Sequence, residues 1–177
     1  FIELMESALH FQPGKELSIV ELMTLRLNIL RLKSTSWGIT KLISDTKIIL
    51  SECGTPTREN AKLLALGYRS LALFYISLGN TFLAEQSLEK GLSISEDLID
   101  DDCVVFSLRT DLIRLEIQKT FFNRPRVYYL LSMLSAEHLD VVNQIAYLDL
   151  KGEMRKVFKD FTGSESYYKE AIKLCQD

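Results

Sequence analysis

Apolar residues recur at spacings of three and four along most of the chain, the mark of helices that each bury one face. The clearest run is Leu71-Ala72, Tyr75, Leu78-Gly79, Ala84, Leu88 and Gly91-Leu92. Large and small residues alternate there on both sides of a Gly79-Asn80 turn. That is the pattern of two antiparallel helices whose backbones approach closely enough to need Ala or Gly at the crossing. The same periodicity predicts helices over 1–12, 16–33 and 37–52, from Thr55-Pro56 to Leu78, and over 81–95. It predicts others over 103–122 and 125–135, from His138 to Phe161, and a short final one. Pro13-Gly14 and Gly54 end helices, Thr35-Ser36 can cap one, and Pro56 and Pro125 suit first turns. Nothing reads as a strand of any length.

Composition supports this picture. Three prolines and eight glycines are few breakers for 177 residues, and 47% hydrophobic with 25% charged residues is globular rather than disordered. The length suffices for one domain with a real core, and no linker or low-complexity stretch divides residues 1–177.

The stretch 66–94 resembles a tetratricopeptide repeat. That family places a small residue midway along a first helix, an aromatic three residues later, a Leu-Gly turn, and two small residues seven apart in a second helix. Ala72, Tyr75, Leu78-Gly79, Ala84 and Gly91 fill those places in order, with Leu88 bulky between the small pair. Lys159-Asp160-Phe161 through Tyr168, Ala171 and Leu174 resembles the turn and second helix, with Gly152 at the small site before them. Met5, Ala8, Leu9 and Pro13 match the close of a second helix, and Trp37, Ile39, Ile43 and Thr46 give a weaker copy. Ala8, Gly91 and Ala171 lie 83 and 80 residues apart. One further unit inside each interval gives a period of about 40, longer than the ~34 of the standard repeat, as in the irregular long-helix members. Over 103–136 the chain departs from the pattern, with Asn123-Arg124-Pro125 in place of Leu-Gly.

The resemblance implies an all-α fold: a right-handed α-α superhelix of about four helix pairs. The end of one repeat would occupy 1–13, and pairs would occupy 16–53, 57–97, 102–136 and 138–177. Because Phe1 falls on what would be a second helix, a segment of a longer array is expected.

Charge and chemistry narrow the function. A net charge of −3 argues against wrapping a polyanion, so no nucleic-acid partner is expected. Cys53, Cys103 and Cys175 are odd in number and far apart, which suits free thiols better than a disulfide framework. No apolar run approaches the roughly 18 residues of a membrane span, and no signal peptide is visible. An intracellular site, cytoplasmic or nuclear, is expected. Two histidines, His10 and His138, are too few for most catalytic or metal arrangements, and no Cys-His pair has ligand spacing. Gly14-Lys15 lacks the rest of a phosphate-binding loop. No cofactor, no metal and no enzymatic activity are therefore expected. Five acids in the seven residues Glu96–Asp102 read as a solvated turn between repeats, or else as an ion or partner site. Lys119, Arg124 and Arg126 cluster near Phe121, Phe122, Tyr128 and Tyr129. They read as core aromatics beside a wet turn, or as a contact for phosphate or an acidic peptide.

In a stacked array the first helices of successive pairs line a concave face. Their solvent-facing positions would be Glu21, Thr24, Asn28 and Arg31; Leu66, Arg69, Leu73 and Ile76; Arg109, Ile113 and Glu116; and Asp149, Glu153 and Lys156. The partner-binding candidates are Asn28, Arg31, Leu66, Arg69, Leu73, Ile76, Arg109, Ile113 and Glu116. Some members of the family grip a C-terminal carboxylate with Lys and Asn, where this chain has Arg69 and Leu73. The expected function is a non-catalytic protein–protein interaction scaffold, holding a peptide or helix of a partner on the concave face within a larger complex. Two alternatives are a structural segment that self-associates through open ends near Phe1–Met5 and Tyr167–Leu174, and a peptide-sensing domain with a closed pocket of roughly 300 Å³ or more.

Overall fold

The structure is a computed structural model and describes residues 18–33, 38–99, 102–134 and 139–176. Those residues form eight α-helices and no strand. They are α1 (Ile19–Lys33), α2 (Ile39–Glu52), α3 (Ala61–Ser77), α4 (Thr81–Leu98), α5 (Asp102–Ile117), α6 (Arg124–Ser132), α7 (Val141–Val157) and α8 (Phe161–Leu174). The expected first helix over 1–12, the Pro13-Gly14 stop and the Thr35-Ser36 cap lie outside the described residues. The chain divides into two compact units, Phe1–Asp100 and Asp101–Asp177, and the boundary falls inside the acidic run.

In the first unit α1 packs on α2 and on α3, α2 packs along α3, and α3 and α4 form the most extensive pair. α3 is the most buried helix of this unit, because apolar and small residues occupy most of its circumference: Leu63, Leu64, Ala65, Gly67, Leu71, Ala72, Phe74 and Tyr75 are all inside. Small residues set the approach. A Cβ on Gly67 would lie 2.7 Å from Leu50 Cδ2, and Ala72 and Ala84 have no exposed surface. Buried hydroxyls find acceptors within their own helices: Thr46, Ser70, Ser87 and Ser95 donate to the carbonyls of Leu42, Leu66, Leu83 and Gly91.

The α2–α3 connection differs from expectation. α3 starts at Ala61 rather than at Pro56 because Asn60 organises residues 53–60 as a turn. Its side chain donates to the carbonyls of Cys53 (2.8 Å) and Thr55 (3.1 Å) and accepts from the Thr57 N–H (2.7 Å). One buried amide thus satisfies three backbone groups that a helix beginning at Pro56 would have to satisfy otherwise.

In the second unit α5 packs on α6 and α7, and α7 pairs with α8. The crossing of α7 and α8 is tight. Tyr168 lays its ring on Gly152, where a Cβ would meet Cε1 at 2.6 Å, and Ser164 Oγ donates to the Gly152 carbonyl at 2.9 Å. α5 ends at Ile117, earlier than the expected residue 122, because Glu116 turns the chain. Its carboxylate accepts from the Asn123 N–H (2.7 Å) and from Lys119 Nζ (2.6 Å). Asn123 then caps α6 by accepting from the Arg126 N–H at 3.1 Å.

The α3–α4 and α7–α8 turns are built alike. At Leu78-Gly79-Asn80 the Asn80 N–H donates to the Tyr75 carbonyl (2.9 Å), and at Phe158-Lys159-Asp160 the Asp160 N–H donates to that of Arg155 (2.8 Å). This is the six-to-one bond of a Schellman ending. The middle residue is left-handed in both, Gly79 at φ 72° and Lys159 at φ 63°. Asn80 and Asp160 then cap the next helix through the N–H groups of Leu83 (3.1 Å) and Gly163 (2.9 Å). α3 and α7 begin 80 residues apart, as do α4 and α8, so both hairpins keep one register.

Candidate functional site

The candidate positions of α3 form one strip. Leu66, Arg69, Leu73 and Ile76 follow the three-four-three spacing of a single helix face. Leu66, Arg69 and Ile76 are half-buried, and Leu73 is 42% exposed between the buried Ala72 and Phe74. Asn28 is exposed on α1, with Glu21 and Thr24 exposed at preceding turns. Arg31 lies on α1, outside the residues whose side chains are described.

The α5 candidates sit differently, and here expectation needs correcting. Ile113 has no exposed surface and Glu116 is 4% exposed, so neither faces solvent. Apolar Ile113 belongs to the core, and Glu116 is a structural anchor for the α5–α6 turn, with Arg126 also 3.6 Å from its carboxylate. Arg109 is half-buried and donates from NH1 to the Met133 carbonyl at 2.7 Å, which ties α5 to the end of α6. Two candidate groove positions on α7 are engaged as well: Arg114 on α5 bonds Asp149 at 2.6 Å and Glu153 at 3.0 Å, clamping α5 to α7. Burial pulls the Arg114 guanidinium down, but the hydrogen bond it donates to Glu153 and the charges of Glu153, Asp149 and Asp111 outweigh it and hold it above its ordinary value. Lys156 is exposed.

The basic–aromatic stretch is the other place where burial departs from expectation. Phe121 is 94% exposed, and Tyr128 and Tyr129 are more than half exposed, so these rings are not core. Lys119 and Arg126 are occupied by Glu116. Arg124 lies over the rings of Phe122 (5.8 Å) and Phe158 (5.3 Å). Tyr128 stacks on Phe158 with ring planes 2° apart and centroids 5.6 Å apart. Beside that stack Tyr128, Leu131, Lys151, Met154, Arg155, Phe158 and Tyr167 line a cleft of about 150 Å³. Sequence periodicity missed this cleft because its residues come from three helices. The one available signal was the density of rings and cations after α5.

Other chemistry is sparse. The cysteines are free; burial, aided by Glu52 and opposed by Arg26, pushes the Cys53 thiol up. Among the described residues no three His, Cys, Asp or Glu side chains gather as a metal site, and no helix is long and apolar enough to cross a membrane. No protein-family model matches the chain, and no curated protein matches it either.

Proposed function

We propose that the chain is a non-catalytic protein-interaction module of the tetratricopeptide type, and that the α3 strip of its first unit receives a helix or extended peptide from a partner. The observation that carries this reading is Leu73. An exposed leucine at the centre of a buried helix, bracketed by half-buried Leu66, Ile76 and Arg69, is an apolar strip with a charged group beside it. Such a strip suits an amphipathic helix whose anchors repeat at three and four residues. The left-handed Leu-Gly-Asn turn and the Ala72, Ala84 and Gly91 crossing support the family assignment, as does the same turn recurring 80 residues later. The role within a larger intracellular complex, and a superhelix with a concave face reaching Asn28, Arg31 and Arg109, belong to the same proposal.

The test is affinity capture from cell extract with the wild-type chain and with Arg69→Glu/Leu73→Asp, both checked for helix content by circular dichroism. Partners that vanish with a folded double variant support the α3 strip; partners retained in full move binding elsewhere. Self-association through the last helix is a second reading, favoured by Ile172, which is exposed on α8. It predicts a sedimentation coefficient that rises with concentration and stops rising in Ile172→Asp.

A further inference from the structure

The cleft in the second unit has a structural cause and a definite chemical character. In the first unit the second helix of the leading pair, α2, has 14 residues and packs along α3. Its counterpart α6 has 9 residues and, among the described residues, packs on α5 without packing closely on α7. The space left between α6 and the α7–α8 hairpin is spanned by side chains, with Tyr128 reaching Phe158.

The walls are apolar: three rings (Tyr128, Phe158, Tyr167), Leu131 and the Met154 thioether. About 150 Å³ is room for one benzene-sized group and not for a metabolite. Around it stand three cations, Lys151, Arg124 and Arg155. Among the described residues, the Lys151 ammonium faces the rings of Tyr147 (4.3 Å) and Tyr167 (5.4 Å) and no carboxylate. Among the described residues, Arg124 faces the rings of Phe122 and Phe158 and no carboxylate. Arg155 shares its charge with Asp160 at 3.0 Å. An apolar slot for one side chain, flanked by two cations that face no carboxylate among the described residues, has a local sign opposite to the net charge of −3 of the whole chain.

We propose that this cleft binds an acidic peptide segment, inserting one aromatic or large aliphatic side chain between Tyr128, Phe158 and Tyr167 while flanking carboxylates meet Lys151 and Arg124. This site is separate from the α3 strip and does not depend on it. The aromatic anchor supplies the apolar contact, and the carboxylates fix register and speed association.

Fluorescence anisotropy on the 177-residue chain tests this, with a labelled Asp-Glu-Asp-Phe-Asp-Glu-Asp peptide, its Phe-to-Gly counterpart and a twelve-nucleotide single-stranded oligothymidylate as probes. The Phe peptide is expected to bind saturably, and the Gly counterpart about tenfold or more weaker, as for loss of an interface anchor. Lys151→Glu and Arg124→Glu should each weaken binding by roughly fivefold or more, and added salt should weaken it further. Leu73→Asp should leave it unchanged. Should Lys151→Glu lose helix content, the more exposed Arg124→Glu and the peptide pair still decide. No saturable binding, equal binding of the Gly peptide, indifference to both charge reversals, or tighter binding of the oligonucleotide would each overturn the proposal.

Discussion

At the scale of single residues, local sterics set two positions of the α7–α8 hairpin, Lys159 and Gly152. Lys159 holds φ 63° where the matching turn has Gly79 at φ 72°. A side chain in that region costs about 1–2 kcal/mol, partly offset by the extra unfolded-state freedom of glycine. Lys159→Gly should therefore stabilise the protein by about 0.5–1 kcal/mol in urea unfolding, while Gly79→Ala should destabilise it by about 1 kcal/mol. Gly152 is the reverse case, a glycine required by a neighbour rather than by its own backbone. The Tyr168 ring occupies the place a Cβ would take, so Gly152→Ala should cost about 1–3 kcal/mol, and adding Tyr168→Ala should recover part of it by freeing the space. Both glycines stand out in the sequence. Lys159 does not, because nothing in a lysine announces a left-handed turn.

At the scale of elements, hairpins and turns were legible to different degrees. The α3–α4 and α7–α8 hairpins follow from small residues at fixed offsets and from Asx residues ahead of each second helix. Local sterics and capping determine both features, so short windows of sequence contain them. The α5–α6 corner follows from tertiary pairing instead. Glu116 reads as a solvent-facing acid on a helix, yet it is buried because it collects Lys119, Arg126 and the Asn123 N–H. Three partners converging from up to ten residues away leave no periodic trace. Glu116→Ala should therefore cost about 2–4 kcal/mol, more than an ordinary surface change, because it strands cations and an amide at a partly buried corner. Removing the Asn123 cap alone should cost about 1 kcal/mol. Equal losses for the two substitutions would show that Glu116 acts only through the cap. The start of α3 differs from the sequence expectation for a related reason: Asn60 makes its bonds to residues 53–57, and a turn held by one amide resembles a helix start opened by Pro56.

At the scale of the whole molecule, two compact units each contain four described helices, and each ends in the same kind of hairpin. Within each unit a helix packs on the next but one along the chain as well as on its sequence neighbour, α1 on α3 and α5 on α7. This packing explains the fate of the candidate site residues. Arg114, Asp149 and Glu153 hold α5 to α7 and so are engaged within their unit, and Ile113 is core. Leu73 keeps its exposure on the most buried helix of the first unit. Sequence spacing could place all these residues on their helices, but could not say which faces a neighbouring helix would cover, because that depends on packing between segments distant in the chain. The interaction reading accordingly rests on the α3 strip.

The most direct measurement is site-specific photo-cross-linking in cells, with a benzoylphenylalanine placed at Leu73 and, as a control, at Gln86, which is exposed on α4. If the α3 strip receives a partner, cross-links from position 73 will reach a discrete protein, those from position 86 will not, and Arg69→Glu will abolish the former. Cross-links to that protein from position 86 alone, or from neither position while the chain still copurifies with it, would contradict the account.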